Sequence, residues 1–466
     1  MKFEGPSRLR KSAVNRPETR TSDLLFRLNT QSNEDMKQLF SAGLAAGLLA
    51  LLIAPARANW TWDKSVGTLT ADGAGATPAG TVLATQTTGP SYGHGIERGQ
   101  IEVKAPSPGV RTLDLSEPVV DTDGNAATIQ AIQKDAFKGD AALRRATFPA
   151  ELKYIGESAF QNCASLEGIG ALPSGLVGIG AAAFQNCPAL VSQISLPSGL
   201  TELGAQAFQN TRVSGDIVLP AGMTELPDYA FAGTRVTSFR ADADLVAIGR
   251  HAFDGCTALH TAVLDEGLTT LGAPEQQQDN GRVFYGCTAL VSCNLPSTLV
   301  YVGSQCFQGS ALSGDVVWPA GVEDLRANTF AGTRISSFVA TTGLKTVGSQ
   351  AFQNCANLSS VVLPDTLRSI PANWAQGVSG LSVYWRVRPE ELSGVWGGYG
   401  RNRTHYLARG SKAGWEAYAA SEANAGSLVL PSDDNATPGS WGTEGGVVLW
   451  WDDVYVPADP IGLFVR

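Results

Sequence analysis

Residues 351–364 read AFQNCANLSSVVLP, and Leu367 and Ile370 follow at regular spacing. Variants of this stretch recur along most of the chain, with successive copies 22 to 31 residues apart. A period of about 20–29 residues that contains an L-x-x-L-x-L pattern is typical of leucine-rich repeats. The recurring phenylalanine is predicted to form the structural core of every copy: Phe137, Phe160, Phe184, Phe208, Phe231, Phe253, Phe284, Phe307, Phe330 and Phe352.

The end of each copy predicts a strand. Val361 and Leu363 are two residues apart, so both side chains point to one face of an extended segment. Pro364 has no N–H and therefore ends the strand. A glycine follows the next apolar residue in many copies, as at Gly180 and Gly204, and we expect it to adopt the left-handed backbone of a coil corner. A single coil cannot bury its own apolar face, so neighbouring coils must stack on each other.

The unit AFxxCxxLxxIxLPxxLxxIG resembles the BspA-like leucine-rich repeat family of secreted and surface proteins. The resemblance covers residues 110–375 and implies an α/β-type repeat solenoid dominated by β structure, with about eleven coils and a parallel sheet. Residues 59–109 look like the small β-rich module that precedes such arrays. Residues 376–426 are predicted to hold degenerate repeats and a C-terminal cap, with a last strand and a short helix. Residues 427–466 match no known pattern and are assigned to a tail of unknown role.

The N-terminal residues predict export. Residues 39–54 are apolar or small, Lys37 precedes them, and Ala56-Arg57-Ala58 follows, which is the pattern of a signal peptide over residues 36–58. The apolar run is short for a membrane span, which needs about 20 residues. Residues 1–35 are interpreted as a misassigned start or a disordered leader. The alternative is an uncleaved membrane anchor at 39–54 with a basic tail, and the membrane is contacted in no other way.

Composition limits the kind of partner. Charged residues make up 17% of the chain and the formal net charge is −9, whereas about 25% charged residues is usual. Nucleic-acid binding requires a basic face, so no nucleic-acid partner is predicted. The low charge is expected of repeats whose positions lie mostly in the core or at corners.

The cysteine and histidine residues do not predict a metal site. Five of the seven cysteines occupy one slot, three residues after the repeat phenylalanine, and Thr or Ser fills that slot in other copies. Packing is the favoured interpretation, and disulfides between neighbouring coils are the alternative. His251 is placed at the surface, His260 at a variable strand position and Cys256 in the core, so the three cannot converge on one ion. No catalytic motif occurs, and we predict no catalytic residue, metal or cofactor.

The predicted binding surface is the outer face of the repeat strands. The residue between the last two apolar positions points outward in each copy. These candidate ligand-binding residues are Thr147, Ser195, Val218, Arg240, Val263, Asn294, Val317, Val339 and Val362. The alternative is that Val and Thr only favour an exposed strand. A polar insertion over residues 276–281 is a second candidate, and a tolerated loop is the simpler interpretation.

The sequence therefore predicts an exported or cell-surface binding protein, adhesin-like, that recognises a protein or glycan through its strand face. One alternative is a structural spacer or scaffold of the cell envelope without a specific ligand. Another is an enzyme whose activity lies in a terminal module, but about 40 tail residues are too few for an independent domain.

Overall fold

The structure is a computed structural model. It describes the backbone of four strands between residues 60 and 106, and then residues 112–387, except 117–118, 122–125, 242–243 and 275–280. It also describes residue 389 and residues 403–451, except 422–427, 434, 436 and 442–445. The chain divides into two units, Met1–Arg57 and Ala58–Arg466. The predicted signal peptide and the residues before it lie outside the described part.

The N-terminal part of the second unit is a β module. In the described part, eight strands precede the first repeat phenylalanine: β1 (Trp60–Asp63), β2 (Thr68–Ala71), β3 (Gly80–Gln86), β4 (Ile101–Pro106), β5 (Thr112–Asp114), β6 (Val119–Asp121), β7 (Ala126–Ala127) and β8 (Ile129–Ile132). Of these, β5 and β8 already pair with strands of the repeats. Strands β1 to β4 pair in antiparallel order, and β4 pairs in parallel with β8. The module's sheet thereby continues into the repeats.

The repeats contain short parallel strands. They are β9 (Arg145–Thr147), β10 (Tyr154–Ile155), β11 (Gly168–Ile169), β12 (Gly178–Ile179), β13 (Glu202–Leu203), β14 (Ser214–Val218), β15 (Glu225–Leu226), β16 (Arg235–Arg240), β17 (Ala247–Ile248), β18 (Thr261–Val263), β19 (Thr270–Leu271), β20 (Ser292–Cys293), β21 (Tyr301–Val302), β22 (Ser313–Val317), β23 (Asp324–Leu325), β24 (Arg334–Val339), β25 (Thr346–Val347) and β26 (Ser360–Leu363). The C-terminal elements are β27 (Ser382–Trp385), β28 (Thr404–Ala408), a 3-10 turn (Arg409–Ser411), helix α1 (Lys412–Ala420), β29 (Leu428–Val429), β30 (Gly439–Trp441) and β31 (Gly446–Trp451).

Each coil contributes to three sides of a solenoid of about eleven turns. The long-strand row contains the L-x-x-L-x-L segments, which are β5, β9, β11, β14, β16, β18, β20, β22, β24, β26, β27, β28 and β31. The short-strand row contains β8, β10, β12, β13, β15, β17, β19, β21, β23 and β25. The third side, called the turn side, carries the repeat phenylalanines. The solenoid predicted from the repeat period is confirmed.

The ten repeat phenylalanines form a continuous stacked column. Consecutive ring centroids lie 5.1–5.8 Å apart with nearly parallel planes, and all ten rings are buried. Trp374 follows Phe352 at 5.7 Å in an edge arrangement. The Arg403 guanidinium lies 5.5 Å from the Trp374 ring and donates to Ala375 O at 2.6 Å. The column is therefore closed at its C-terminal end by a cation on an aromatic face.

Left-handed residues lie on the turn side, on either side of the column. The residues two before and two after each phenylalanine have positive φ, as at Gln350 and Asn354, both at 57°. Asn and Gly fill the second of these positions in every coil from Phe137 to Phe352, because they tolerate this conformation best. The phenylalanine N–H then donates to the next coil, as from Phe160 to Ala183 O at 2.7 Å.

The conformation predicted for the corner glycines is wrong. Gly180 and Gly204 do not have positive φ. A Cβ at Gly204 would lie 2.1 Å from Ala181 N, and one at Gly180 would lie 2.4 Å from Glu157 N. Glycine is required there because the backbones of neighbouring coils approach too closely for any side chain.

The cysteine slot is fully buried. The thiols donate to the phenylalanine carbonyl of the preceding coil, for example from Cys163 to Phe137 O and from Cys355 to Phe330 O, both at 3.0 Å. All seven cysteines are free thiols. Thr333 lies 3.4 Å from the Cys355 sulfur, which shows how hydroxyl and thiol residues alternate in one slot.

The boundary placed at residue 427 does not hold for residues 428–451. Strand β31 pairs in parallel with β28, and β30 and β29 add antiparallel strands beyond it. Val448 and Trp450 of β31 are buried. The repeat pattern is lost after Trp374, but alternation of buried residues in β31 is enough to extend the sheet. Residues 452–466 of the predicted tail lie outside the described part.

Candidate functional site

The candidate site is the outer face of the long-strand row. In β16, Phe239 is buried in the core while Arg240, the next residue, is exposed. The register pairs Arg240 with Val218 of β14 on one side and with Val263 of β18 on the other. Residues that lie far apart in sequence thus form a continuous line across the strands.

The structure places most of the predicted site residues in solvent. Ser195, Val218, Arg240, Val263, Asn294 and Val317 are exposed, Thr147 and Val339 are half-buried, and Val362 is buried. The three exposed valines have exposed fractions of 55%, 44% and 37% for Val218, Val263 and Val317.

Val362 is not available to a ligand, contrary to the prediction. It is 7% exposed and packs in a cluster with Tyr384, Ala408 and Trp451. The Tyr384 ring stacks on Tyr406 at 4.5 Å and contacts Trp451 edge-on at 5.2 Å. The L-x-x-L-x-L pattern fixes the direction of the Val362 side chain, but it does not reveal that later strands cover this end of the face with aromatic rings.

The side-chain amide of Asn294 is hydrogen-bonded to the backbone of the preceding coil. Its Oδ1 accepts from Leu264 N at 2.8 Å, and its Nδ2 donates to Leu264 O at 2.5 Å. The side chain therefore replaces a backbone pairing between two coils. Asn294 is exposed, but its main polar groups are already bonded.

Two coils carry an additional outward residue that the repeat pattern missed. Strands β14 and β22 both contain Ser-Gly-Asp, and their pairing shifts register next to the glycine. Asp216 Oδ1 accepts from the Thr237 and Ser238 hydroxyls at 2.8 and 2.7 Å. Asp315 Oδ1 accepts from two serine hydroxyls of the next coil, both at 2.7 Å. The hydroxyl groups of Ser238 and Thr237 lower the pKa of Asp216.

The arginines of the solenoid fall into two groups. Among residues 112–387 as described, six have a carboxylate, amide, backbone or aromatic partner: Arg144, Arg250, Arg282, Arg326, Arg368 and Arg386. Five are exposed, and their guanidinium groups make no hydrogen bond, ion pair or ring contact: Arg145, Arg212, Arg235, Arg240 and Arg334. All five lie in the long-strand row or within two residues of it. Of these, the sequence prediction named only Arg240.

The histidine and cysteine residues near Phe253 do not form a cluster. His251, predicted at the surface, is buried: its ring stacks on Tyr229 at 4.4 Å, and Nδ1 lies 2.7 Å from Asp254 Oδ2. His260 is exposed. Burial raises the pKa of Cys256 to about 12, which keeps the thiol protonated at neutral pH. Within the described residues, no three His, Cys, Asp or Glu side chains converge as metal ligands would.

Two further expectations concern other regions. The polar insertion at 276–281 lies outside the described residues except for Gly281. No helix in the described part combines the length and apolar character of a membrane span, and the predicted segment 39–54 is not in that part.

One protein-family profile matches the chain. The sequence profile of the BspA-type leucine-rich repeat region matches six copies, over residues 130–260 and 279–382. No curated protein sequence matches the chain.

Three solved structures are similar to parts of the chain. A leucine-rich repeat protein from Bacteroides ovatus is 21% identical, covers 76% of this chain and 96% of its own, and has a TM-score of 0.42. A leucine-rich cell surface protein from Faecalibacterium prausnitzii is 20% identical, with coverages of 68% and 93% and a TM-score of 0.38. The pneumococcal vaccine antigen PcpA is 14% identical, with coverages of 72% and 94% and a TM-score of 0.35.

Proposed function

This chain belongs to the BspA-type leucine-rich repeat family, and we propose that it is an exported binding protein that holds a macromolecular partner on its long-strand row. The observation that carries the proposal is the surface composition of that row. Exposed valines and unpaired arginines lie together on a face whose opposite side is packed into the core. Solenoids commonly use such extended faces to bind partners.

The physical mechanism is contact by a preformed surface. The stacked phenylalanine column and the bonds between successive coils hold the outward side chains at fixed spacing, because parallel strands stack about 4.8 Å apart. A partner then loses little affinity to ordering of this chain on binding. Many modest contacts spread over several coils would supply both affinity and specificity.

The test compares the strand face with the turn side in the full chain. A variant with Val218→Asp, Val263→Asp and Val317→Asp places three charges on the face without touching the core. The control variant carries Ala164→Asp, Thr257→Asp and Ala356→Asp, exposed positions four residues after a repeat phenylalanine on the turn side, where it also adds three negative charges. We expect capture of immobilised extracellular proteins and glycans to be lost in the face variant and retained in the control. Equal capture by both variants would contradict the proposal.

We also propose export through residues 36–58, with cleavage after Ala58. The supporting pattern is the basic residue, the apolar run and the small-x-small end in the sequence. N-terminal sequencing of the protein recovered outside the cell checks this directly. A chain beginning at Asn59 supports cleavage, whereas a chain that retains residues 39–54 indicates an anchor instead.

A further inference from the structure

We infer that Arg212, Arg235 and Arg240, here called the arginine patch, bind an acidic protein segment that also carries aliphatic side chains. The inference rests on the proposed function and specifies its partner chemistry. It places the strongest contact on β14 and β16 rather than evenly along the row.

The charge of the patch is not used within the chain. All three guanidinium groups are exposed and make no ion pair, hydrogen bond or ring contact, although the chain as a whole carries a net charge of −9. The nearby carboxylate, Asp216, takes its hydrogen bonds from Thr237 and Ser238 instead. Other cationic side chains of the solenoid form ion pairs, for example Lys345 with Glu323 at 2.7 Å.

The three arginines lie on neighbouring coils. Arg235 donates its backbone N–H to Val213 O at 2.9 Å and pairs in register with Ser214, two residues from Arg212. Arg240 lies at the other end of the same strand, between Val218 and Val263. A segment that runs along β14 and β16 would therefore pass Arg212 and Arg235 at one end and Arg240, with Val218 and Val263 beside it, at the other.

The chemistry of these groups favours carboxylates next to aliphatic residues. A guanidinium presents a planar set of donors that matches a carboxylate with two parallel hydrogen bonds. The residues beside Arg240 in the strand register are Val218 and Val263, so the patch offers aliphatic side chains there instead of an aromatic ring on which a sugar would pack. An acidic glycan satisfies the charge but leaves Val218 and Val263 without apolar contact. We therefore infer that the ligand of the arginine patch is a protein segment.

Isothermal titration of the full chain tests the assignment with a synthetic peptide of alternating Glu and Val. The patch variant carries Arg212→Ala, Arg235→Ala and Arg240→Ala. The control variant carries Lys134→Ala, Lys138→Ala and Lys345→Ala, which removes the same charge from residues that have carboxylate partners. We expect the peptide to bind the wild type and the control alike, and the patch variant about tenfold more weakly or not at all.

Further probes separate the partner classes. A peptide with Gln in place of Glu and one with Ser in place of Val should both bind more weakly than the Glu-Val peptide. Equal weakening in the patch and control variants would overturn the inference, because the effect would then follow net charge alone. Tighter binding of heparin or polygalacturonate than of the peptide would also overturn it, in favour of a glycan. Loss of macromolecular capture in the valine variant, with no peptide binding to the wild type, would refute this inference and leave the proposed function standing.

Discussion

Two segments of the solenoid, each about two coils long and called here the first and second block, are more similar in sequence to each other than to the coils beside them. Residues 211–259 and 310–358 align without a gap at an offset of 99 residues and share Ser-Gly-Asp, Ala-Gly-Thr-Arg and the Phe and Cys positions. Both rows of strands separate just before the second block, since β14, β16, β18 and β20 form one sheet and β22 begins the next. The two blocks can therefore be compared position by position within one chain.

The residues that the two blocks share make contacts between coils. Thr234 contacts Cys256 at 3.3 Å, and Thr333 contacts Cys355 at 3.4 Å. The two Ser-Gly-Asp aspartates make the same pair of hydroxyl bonds. The exposed arginines are not shared: Arg212 corresponds to Ala311, which is buried, and Arg240 corresponds to Val339, which is half-buried. Structure therefore constrains the interior and the bulge, whereas the strand face is free to acquire a specific surface.

The largest expected effect comes from the phenylalanine column. Phe231→Ala and Phe330→Ala each remove a fully buried ring at equivalent positions, and each should cost about 3–5 kcal/mol of unfolding free energy. Phe330 also contacts Trp318 edge-on at 6.0 Å, where the first block has Leu219, so its loss should be the larger. Urea unfolding followed by circular dichroism measures both, with Val218→Ala as the control. A greater loss at Phe231 would contradict a stabilising contribution from the Phe330–Trp318 contact.

A smaller difference is expected at the bulge glycines. Both have positive φ, 112° at Gly215 and 83° at Gly314. An added Cβ would lie 2.9 Å from Ile194 O at Gly215 but would meet no atom within 4 Å at Gly314. Alanine at either site is strained by about 1–3 kcal/mol, and Gly215→Ala should be the more damaging because it adds a clash. Equal unfolding midpoints for the two variants would show that the clash is relieved by movement of the backbone.

The smallest stability effect should depend on pH. Hydroxyl bonds hold the pKa of Asp216 below its ordinary value of 3.8, so their contribution is present above about pH 3.8 and is lost as pH falls through the lower folded pKa. Asp216→Asn should therefore reduce the unfolding midpoint at pH 7 and reduce it less at pH 2.5. Asp315→Asn, with the same hydroxyl geometry, should match it at pH 7. A loss for Asp216→Asn that is the same at both pH values would exclude the carboxylate charge as its cause.

Features that depend on the spacing of residues within one repeat could be predicted from the sequence. The repeat spacing and the L-x-x-L-x-L alternation were sufficient for the solenoid, the buried phenylalanine column and the outward direction of Val218, Arg240 and Val263. Features that depend on contacts between coils were missed. The role of Gly204 depends on the distance to the next backbone, and the burial of Val362 depends on strands 20 or more residues away.

The candidate site was only partly predictable for the same reason. Arg212 and Arg235 stand outside the outward position defined by the repeat, and their lack of partners is a property of three-dimensional placement. The extra residue at Asp216 could have been found from the sequence, because Ser-Gly-Asp lengthens L-x-x-L-x-L by one position in two copies.

We propose that the two blocks share one fold and differ in recognition through a few outward side chains. The variant Arg212→Ala and Arg240→Val tests this, because it gives the first block the residues of the second block at two exposed positions. Titration of this variant with the Glu-Val peptide should show binding about tenfold weaker than that of the wild type, with unchanged thermal stability. A variant that folds normally and binds the peptide as tightly as the wild type would contradict the proposal.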